Sequence, residues 1–405
     1  MTIQEKFKKL ETTNAPGQEA RQSSHPELDL PAGATWQRNI VDFSHGDVDA
    51  HKPTPSAFAL FSGAVETGSA CAYTEYRGEL SIRQHVAARL ATFTGSIIDA
   101  PEGLMITPGT QGALFLAVGA ILTRGEKVAI VQPDYFANRK IVDFFEGEIL
   151  PIQLRYLGAD DKQAGLDLSQ LEDAFKAGAR LLIFSNPNNP TGIVYSPEEV
   201  TKIAGLANFY GAKIIIDQLY ARLLYDGVQY THLCAAGIDE QNIITIIGPS
   251  KTESLSGYRL GVAFGAPEII ERMEKLQAIV SLRAAGYAQS VLMSWFQEPA
   301  GWMQERIARH KLIRDDLVRL FLNIKGCHLR VPEAGSYLFP RLPRLCISHT
   351  DFIKNLRDHY GVIVTPGTEF SPHATHSIRL NFSQDHGAAC AAIERLAALI
   401  ERYRA

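Results

Sequence analysis

The chain has 405 residues, 46% of them hydrophobic and 21% charged, with a formal net charge of −4, enough to bury a large core in two or three domains. The mild acidity excludes the basic footprint of a nucleic-acid or anionic-membrane partner. Five scattered cysteines without a C-x-x-C pair argue against a zinc site, so no metal is expected, and no signal-peptide core or membrane-length apolar run is visible. A soluble cytoplasmic protein with reduced thiols is the expectation.

Residues 1–38 are polar and weakly patterned, and predict an arm with at most a short helix, lying over the body or over a partner subunit. A short strand over Ile40–Phe43 then enters the loop Ser44-His45-Gly46-Asp47-Val48-Asp49, a shape suited to crossing a cleft. His45 there either touches a substrate or is a solvated loop side chain. Tyr73 offers a phenol from a loop or simply packs, ahead of a helix patterned on Leu80, Ile82, Val86, Leu90 and Phe93.

Leu104–Thr107 predicts a strand. Gly109, Thr110 and Gln111 then open a helix over Ala113–Leu122, and their free N–H groups make either an anion cradle or an ordinary helix start. After a strand over Lys127–Val131, Tyr135 either stacks on a flat ring or plugs the core. Strands over 147–154, 179–184 and 212–216 alternate with helices over 168–177 and 197–210. Between them, Asn186-Pro-Asn-Asn-Pro-Thr-Gly192 forms a stiff turn whose prolines hold its amide side chains in place. Asp217 ends an apolar strand and is followed by Tyr220; a carboxylate there needs a cation or donors, or it caps the next turn.

The apolar run Ile243–Ile247 leads into Gly248-Pro-Ser250-Lys251, with Arg259 between Gly257 and Gly261. A lysine just past such a strand stands at the edge where open α/β sheets bind ligands. Lys251 is either a Schiff-base amine, with hydroxyls and an arginine beside it for a phosphate, or a surface lysine. The alternation over 100–265 predicts a mainly parallel, doubly wound sheet. Helices over 267–280 and 299–324, each read with a proline in its first turn, come next, the second long enough to link two lobes. An α+β tail follows, in which Arg379 projects from a strand into a cleft or onto the surface.

Together the Asn186–Gly192 run, Asp217-x-x-Tyr220, Ser250-Lys251, Gly257-x-Arg259-x-Gly261 and Arg379 resemble the class I/II aminotransferases of pyridoxal phosphate (PLP) fold type I, over residues 38–402. The resemblance implies an α/β fold with a large doubly wound PLP-binding domain (56–289), a smaller α+β domain (39–55 with 290–405) and an N-terminal arm (1–38). It implies an aminotransferase that moves an amino group from an L-amino acid to a 2-oxo acid, through a Lys251 aldimine and a quinonoid, in a homodimer with shared sites. By the same resemblance Lys251 moves the Cα proton and Asp217 pairs with the pyridine nitrogen. Tyr220 and Asn189 hydrogen-bond the ring's phenolic oxygen, and Tyr135 stacks on the ring. Ser250, Arg259, Gly109, Thr110 and Gln111 hold the phosphate, joined by Tyr73 of the other subunit. Arg379, helped by Asn189, grips the substrate carboxylate beneath a loop that Gly46 lets approach. The chain departs from the family pattern at Ser44-His45-Gly46-Asp47, where a proline–aspartate pair usually follows the glycine. A histidine beside that glycine implies an alternative, an amino-acid oxidase or lyase of the same fold, such as an oxygen-dependent arginine oxidase. Arg283 falls either where relatives bring a partner arginine to a distal carboxylate or in solvent.

Overall fold

The computed structural model of the chain describes residues 2–10, 40–46, 48–157 and 165–405. A two-residue strand, β1 (Val41–Asp42), precedes the strands of the largest sheet. These are β2 (Leu104–Pro108), β3 (Lys127–Gln132), β4 (Glu148–Gln153), β5 (Leu181–Ser185), β6 (Lys213–Asp217), β7 (Ile243–Ile247) and β8 (Leu260–Gly265). They lie in the order β2-β8-β7-β6-β5-β3-β4, parallel except for β8, which runs antiparallel to both neighbours. The continuous apolar runs of β5, β6 and β7 suit strands covered on both faces. Their alternation divides the side chains between two cores: Leu182, Phe184, Ile214 and Ile216 join one, while Leu181, Ile183, Ile215 and Ile244 join the other. Burying each such side chain contributes roughly 1.5–3 kcal/mol.

Helices cross between the strands and are punctuated by local chemistry. Ser196 caps the helix Pro197–Tyr210 by accepting the Glu199 N–H, Glu199 returns the bond to the Ser196 N–H, and Gly211 ends the helix in the left-handed region. The chain then leaves the large sheet through the helices Pro267–Val280 and Trp302–Leu322. The second packs on the C-terminal helix His386–Tyr403, where Ile313, Leu317 and Phe321 share a core with Ile393, Leu396 and Ile400. Here β9 (Tyr337–Leu338), β11 (Thr365–Pro366) and β12 (Ile378–Asn381) form a small antiparallel sheet, while β10 (Val362–Ile363) pairs in parallel with β1.

Four expectations change. Strand β8 was not anticipated, because it begins inside the glycine–arginine motif, at Leu260 and Gly261, and carries glycines at both 261 and 265. The helix Ala57–Thr67 is likewise new, and the helix expected from Ala113 begins at Gly109. Pro299 lies ahead of the helix N-cap at Gly301, outside the first turn. Of the N-terminal arm, the described part is the helix Ile3–Lys9, started by a Thr2–Glu5 capping box. It lies against the body through Lys6, which pairs with Glu146 at 3.6 Å and sits 4.4 Å from the centre of the Phe144 ring. Residues 11–39 lie outside the described residues. No helix among the described residues is long and apolar enough to cross a membrane.

Candidate active site

All five parallel strands from β2 to β7 that precede a singled-out motif deliver it to their C-terminal edge, where a cavity of about 240 Å³ opens. Lys251, in the turn after β7, lines this cavity half-buried, and no residue described here pairs with its Nζ. Asp217 faces the same space from the end of β6. The Leu219 N–H donates to its Oδ1 at 2.9 Å, and no cation among the described residues forms an ion pair with it. Burial pushes its pKa up to about 6, against the pull of that single N–H. A carboxylate so placed fits a protonated ring nitrogen.

The opposite end suits a dianion. The helix Gly109–Ile121 begins without a side-chain cap, so its first N–H groups point into the space lined by Thr110, Gln111, Ser250, Ser256 and Arg259. Two glycines let these parts meet. Gly109 has φ +77°, and a Cβ on it would lie 2.5 Å from Arg259 Nη2; a Cβ on Gly261 would lie 2.4 Å from the Thr110 nitrogen. Arg259 spends one bond on the Ser256 carbonyl (2.9 Å) and remains exposed toward the cavity. Tyr135 flanks the space and donates from its hydroxyl to Gln111 Oε1 at 2.9 Å. Uncapped N–H groups, guanidinium and hydroxyls at one end, with an uncompensated carboxylate at the other, fit PLP.

Arg379, 5% exposed, reaches in from β12 between the rings of Tyr337 (4.4 Å) and Phe370 (4.7 Å). It donates to Asn189 Oδ1 at 3.2 Å and to the Ser44 carbonyl at 2.9 Å, while its buried Nε has no partner among the described residues. An unfilled guanidinium donor beside the cavity suits a carboxylate. Tyr220 donates to the Tyr337 hydroxyl at 2.7 Å. Gly46 and the exposed His45 line an adjoining cavity of about 350 Å³ that shares Tyr220, Ser250, Lys251 and Arg259 with the first. His45 Nδ1 lies 3.3 Å from Asp42 Oδ2 and 3.2 Å from Ser44 Oγ.

Thirteen of the fourteen singled-out site residues line or border these two cavities; Tyr73 does not. Its side chain is 80% exposed, under the Arg283 guanidinium, which also covers Tyr76 and donates to the Thr74 carbonyl. Arg283 is thus half-buried and engaged, contrary to its reading as a solvated side chain. A larger cleft of about 800 Å³, between the ends of β3 and β4 and residues 371–377, contains neither Lys251, Asp217 nor Arg379. The cluster Asp316, His386 and Cys390, whose ligand atoms lie within 4.8 Å of one another, lines neither active-site cavity, and Asp316 already pairs with Arg319 and His386.

Sequence reasoning missed Asp134, Tyr337 and Ser44. Buried Asp134 ties two strand ends together, accepting from the Tyr135 N–H (2.6 Å) and from Ser185 through both its N–H (2.9 Å) and hydroxyl (2.5 Å). Burial outweighs these donors and lifts its pKa to about 8. Its signal was available: an aspartate two residues past an apolar strand, much as Asp217 ends its own. Ser44 works through its carbonyl, which no side-chain pattern reveals.

Residues 38–396 match the family model described as aminotransferase class I and II. A solved structure of an aspartate aminotransferase from Rhodobacter sphaeroides is 62% identical, superposes with a TM-score of 0.93, and is covered over 100% of both chains. An aspartate aminotransferase of Sulfolobus acidocaldarius is 27% identical over 90% of each chain. An asparagine–oxo-acid transaminase of Streptococcus mutans is 26% identical over 90% of this chain and 92% of its own. Family match, relatives and cavity agree: the chain belongs to the class I and II aminotransferases, transaminases that depend on PLP.

Proposed function

We propose that this transaminase takes the amino group of aspartate to a 2-oxo acid in the cavity that Lys251, Asp217 and Arg379 line. The name carried by the 62% identical relative supports aspartate as the donor. The observation that carries the site assignment is Asp217, a carboxylate that pairs with no cation among the described residues, facing the cavity that Lys251 also lines. Bound there, PLP supplies the electron sink that makes a substrate Cα–H acidic. Lys251 is the amine that anchors the cofactor, and its Nζ takes the Cα proton and later returns it. Asp217 would keep the ring nitrogen protonated, and Tyr220 and Asn189 would be the groups available to its phenolic oxygen. Gly109, Thr110, Gln111, Ser250 and Arg259 would hold the phosphate, and Tyr135 would offer its ring to the cofactor's. Arg379, steadied by Asn189 and the Ser44 carbonyl, receives the α-carboxylate on its open edge, while Gly46 lets the loop backbone come close.

The assembly we infer is a homodimer in which Tyr73 of a second copy completes the phosphate seat. Tyr73, Phe58, Val65, Ile279 and Leu282 are exposed apolar side chains of the kind a second copy would bury. Within each copy we assign 56–289 to a PLP-binding domain and 39–55 with 290–405 to a smaller one; two cores fall within the first and one mainly within the second, while Val291, Leu292 and Trp295 pack with Ile82 and Leu90 of the first. Five free cysteines suit a cytoplasmic location. The test is a half-reaction followed by absorbance: aspartate alone converts the cofactor to its pyridoxamine form, and 2-oxoglutarate restores it. Ammonia release with oxygen consumption and no pyridoxamine form would instead favour the oxidase reading, with His45 at the adjoining cavity.

A further inference from the structure

Two of the turns that reach the cavity are built alike. After β6, the Leu223 N–H closes a turn on the Tyr220 carbonyl at 2.9 Å, with Arg222 inside it. After β7, the Ser254 N–H closes a turn on the Lys251 carbonyl at 3.2 Å, with Glu253 inside it. Each turn starts on a residue that lines the cofactor space and carries a charged residue two places on. The two charges meet: Arg222 donates from Nη1 to Oε1 of Glu253, which is 1% exposed.

Arg222 is held from its other side as well. Its Nη1 and Nη2 donate to the two oxygens of Glu298 at 2.8 and 3.0 Å, and its guanidinium lies 4.0 Å from the Phe296 ring centre. A planar fork fixed on one carboxylate offers its remaining donor to Glu253 in a single geometry. Neither Arg222 nor Glu253 lines either active-site cavity, so the pair acts from behind the site.

We propose that Glu253 is a positioning residue that, through Arg222, sets the Lys251 turn against the turn carrying Asp217 and Tyr220. Strands β6 and β7 are paired as far as Asp217 and Ile246. The bond between Arg222 and Glu253 carries that registration past the strand ends, into the turns that hold the reacting groups. A misplacement of about 1 Å between reacting groups can cost about a hundredfold in rate, so a smaller drift of the Lys251 turn should cost about tenfold.

The inference rests on the reading of Lys251 as the amine that moves the Cα proton, and the test separates the two. Glu253→Ala releases the Lys251 turn while Arg222 keeps Glu298, so no charge is stranded. In the holoenzyme, the half-reaction with aspartate is followed in single turnover, with protium or deuterium at Cα. Glu253→Ala should slow the conversion about tenfold and leave the half-saturating aspartate concentration within about twofold of the wild type. The deuterium isotope effect should rise, because proton transfer to Lys251 becomes the slow step. Capture of added PLP by the cofactor-free protein, followed by absorbance, should slow several-fold. Glu253→Gln keeps an acceptor for Arg222 and should restore rate, isotope effect and capture to within about twofold of the wild type. If Glu253→Ala does not fold, Glu253→Asp, which draws the carboxylate back by one methylene, carries the same expectations. Urea unfolding is measured alongside. A variant that is less stable but matches the wild type in rate, isotope effect and PLP capture overturns the proposal, and the ion pair is then only a stabilising one. If Lys251→Ala converts aspartate as fast as the wild type, the reading of Lys251 falls and the positioning role with it.

Discussion

Replacing Asp217 with asparagine should change how the cofactor-free protein responds to pH. The carboxyl ends β6 with one backbone donor and no cation, and burial sets its pKa at about 6, against about 3.9 for an unfolded aspartate. A pKa raised by folding contributes stability that is complete below about pH 4 and is lost as pH climbs through about 6. The gap of about two units corresponds to roughly 3 kcal/mol in all, of which about 1.5 kcal/mol disappears between pH 5 and 8. Urea unfolding of cofactor-free wild type and Asp217→Asn at those two pH values isolates the contribution as a difference of differences. The wild type should lose about 1.5 kcal/mol more than the variant. Adding PLP should abolish the excess, because a protonated ring nitrogen holds the carboxylate ionised. Wild-type and variant curves that stay parallel within about 0.5 kcal/mol would refute the reasoning, since Asp217 would then already be compensated in the cofactor-free fold.

Arg379→Lys replaces a planar fork by a point charge. It should raise KM for the amino donor about 10- to 100-fold, with a smaller effect on kcat, in steady-state assays; a KM within about twofold of the wild type removes the carboxylate role. Gly109→Ala pushes a methyl to within contact of Arg259 Nη2 at a left-handed φ. Reconstitution followed by fluorescence should show PLP affinity down about tenfold, as expected if the guanidinium is displaced from one charge-assisted bond. Arg222→Ala strands Glu253, which is buried and pushed up to about 7 chiefly by that burial, together with its neighbour Glu298. A loss of about 3–5 kcal/mol in urea is expected, and a loss below about 1 kcal/mol shows the cluster to be solvated.

The catalytic edge of the sheet was legible because of where its residues fall. Asp217 and Lys251 each follow a β-branched run, and the Asn186–Gly192 turn follows the apolar run Leu181–Phe184, so strand ends alone bring them to one edge. Tyr337 and Ser44 had no such marker. Their importance comes from Arg379, which the sequence separates from Ser44 by most of the chain and which the fold brings against its carbonyl. Tyr73 was readable as a phenol but not as a neighbour, since nothing in its own chain's cavities receives it. Strand β8 was hidden by its glycines, which serve close packing rather than a loop, Gly261 against the helix start at Gly109 and Gly265 against the backbone of Ile243.

That reversed strand also bears on the order in which the enzyme comes into being. β8 inserts between β2 and β7, pairing Leu104 with Phe264 and bringing Arg259 beside Gly109. During synthesis from the N-terminus, β2 emerges with no hydrogen-bonded neighbour of its own and waits until nearly the whole large sheet has been made. The phosphate seat, split between the two ends of that wait, is therefore among the last parts of the sheet to close. A nascent chain that holds PLP phosphate has already finished building the sheet behind it.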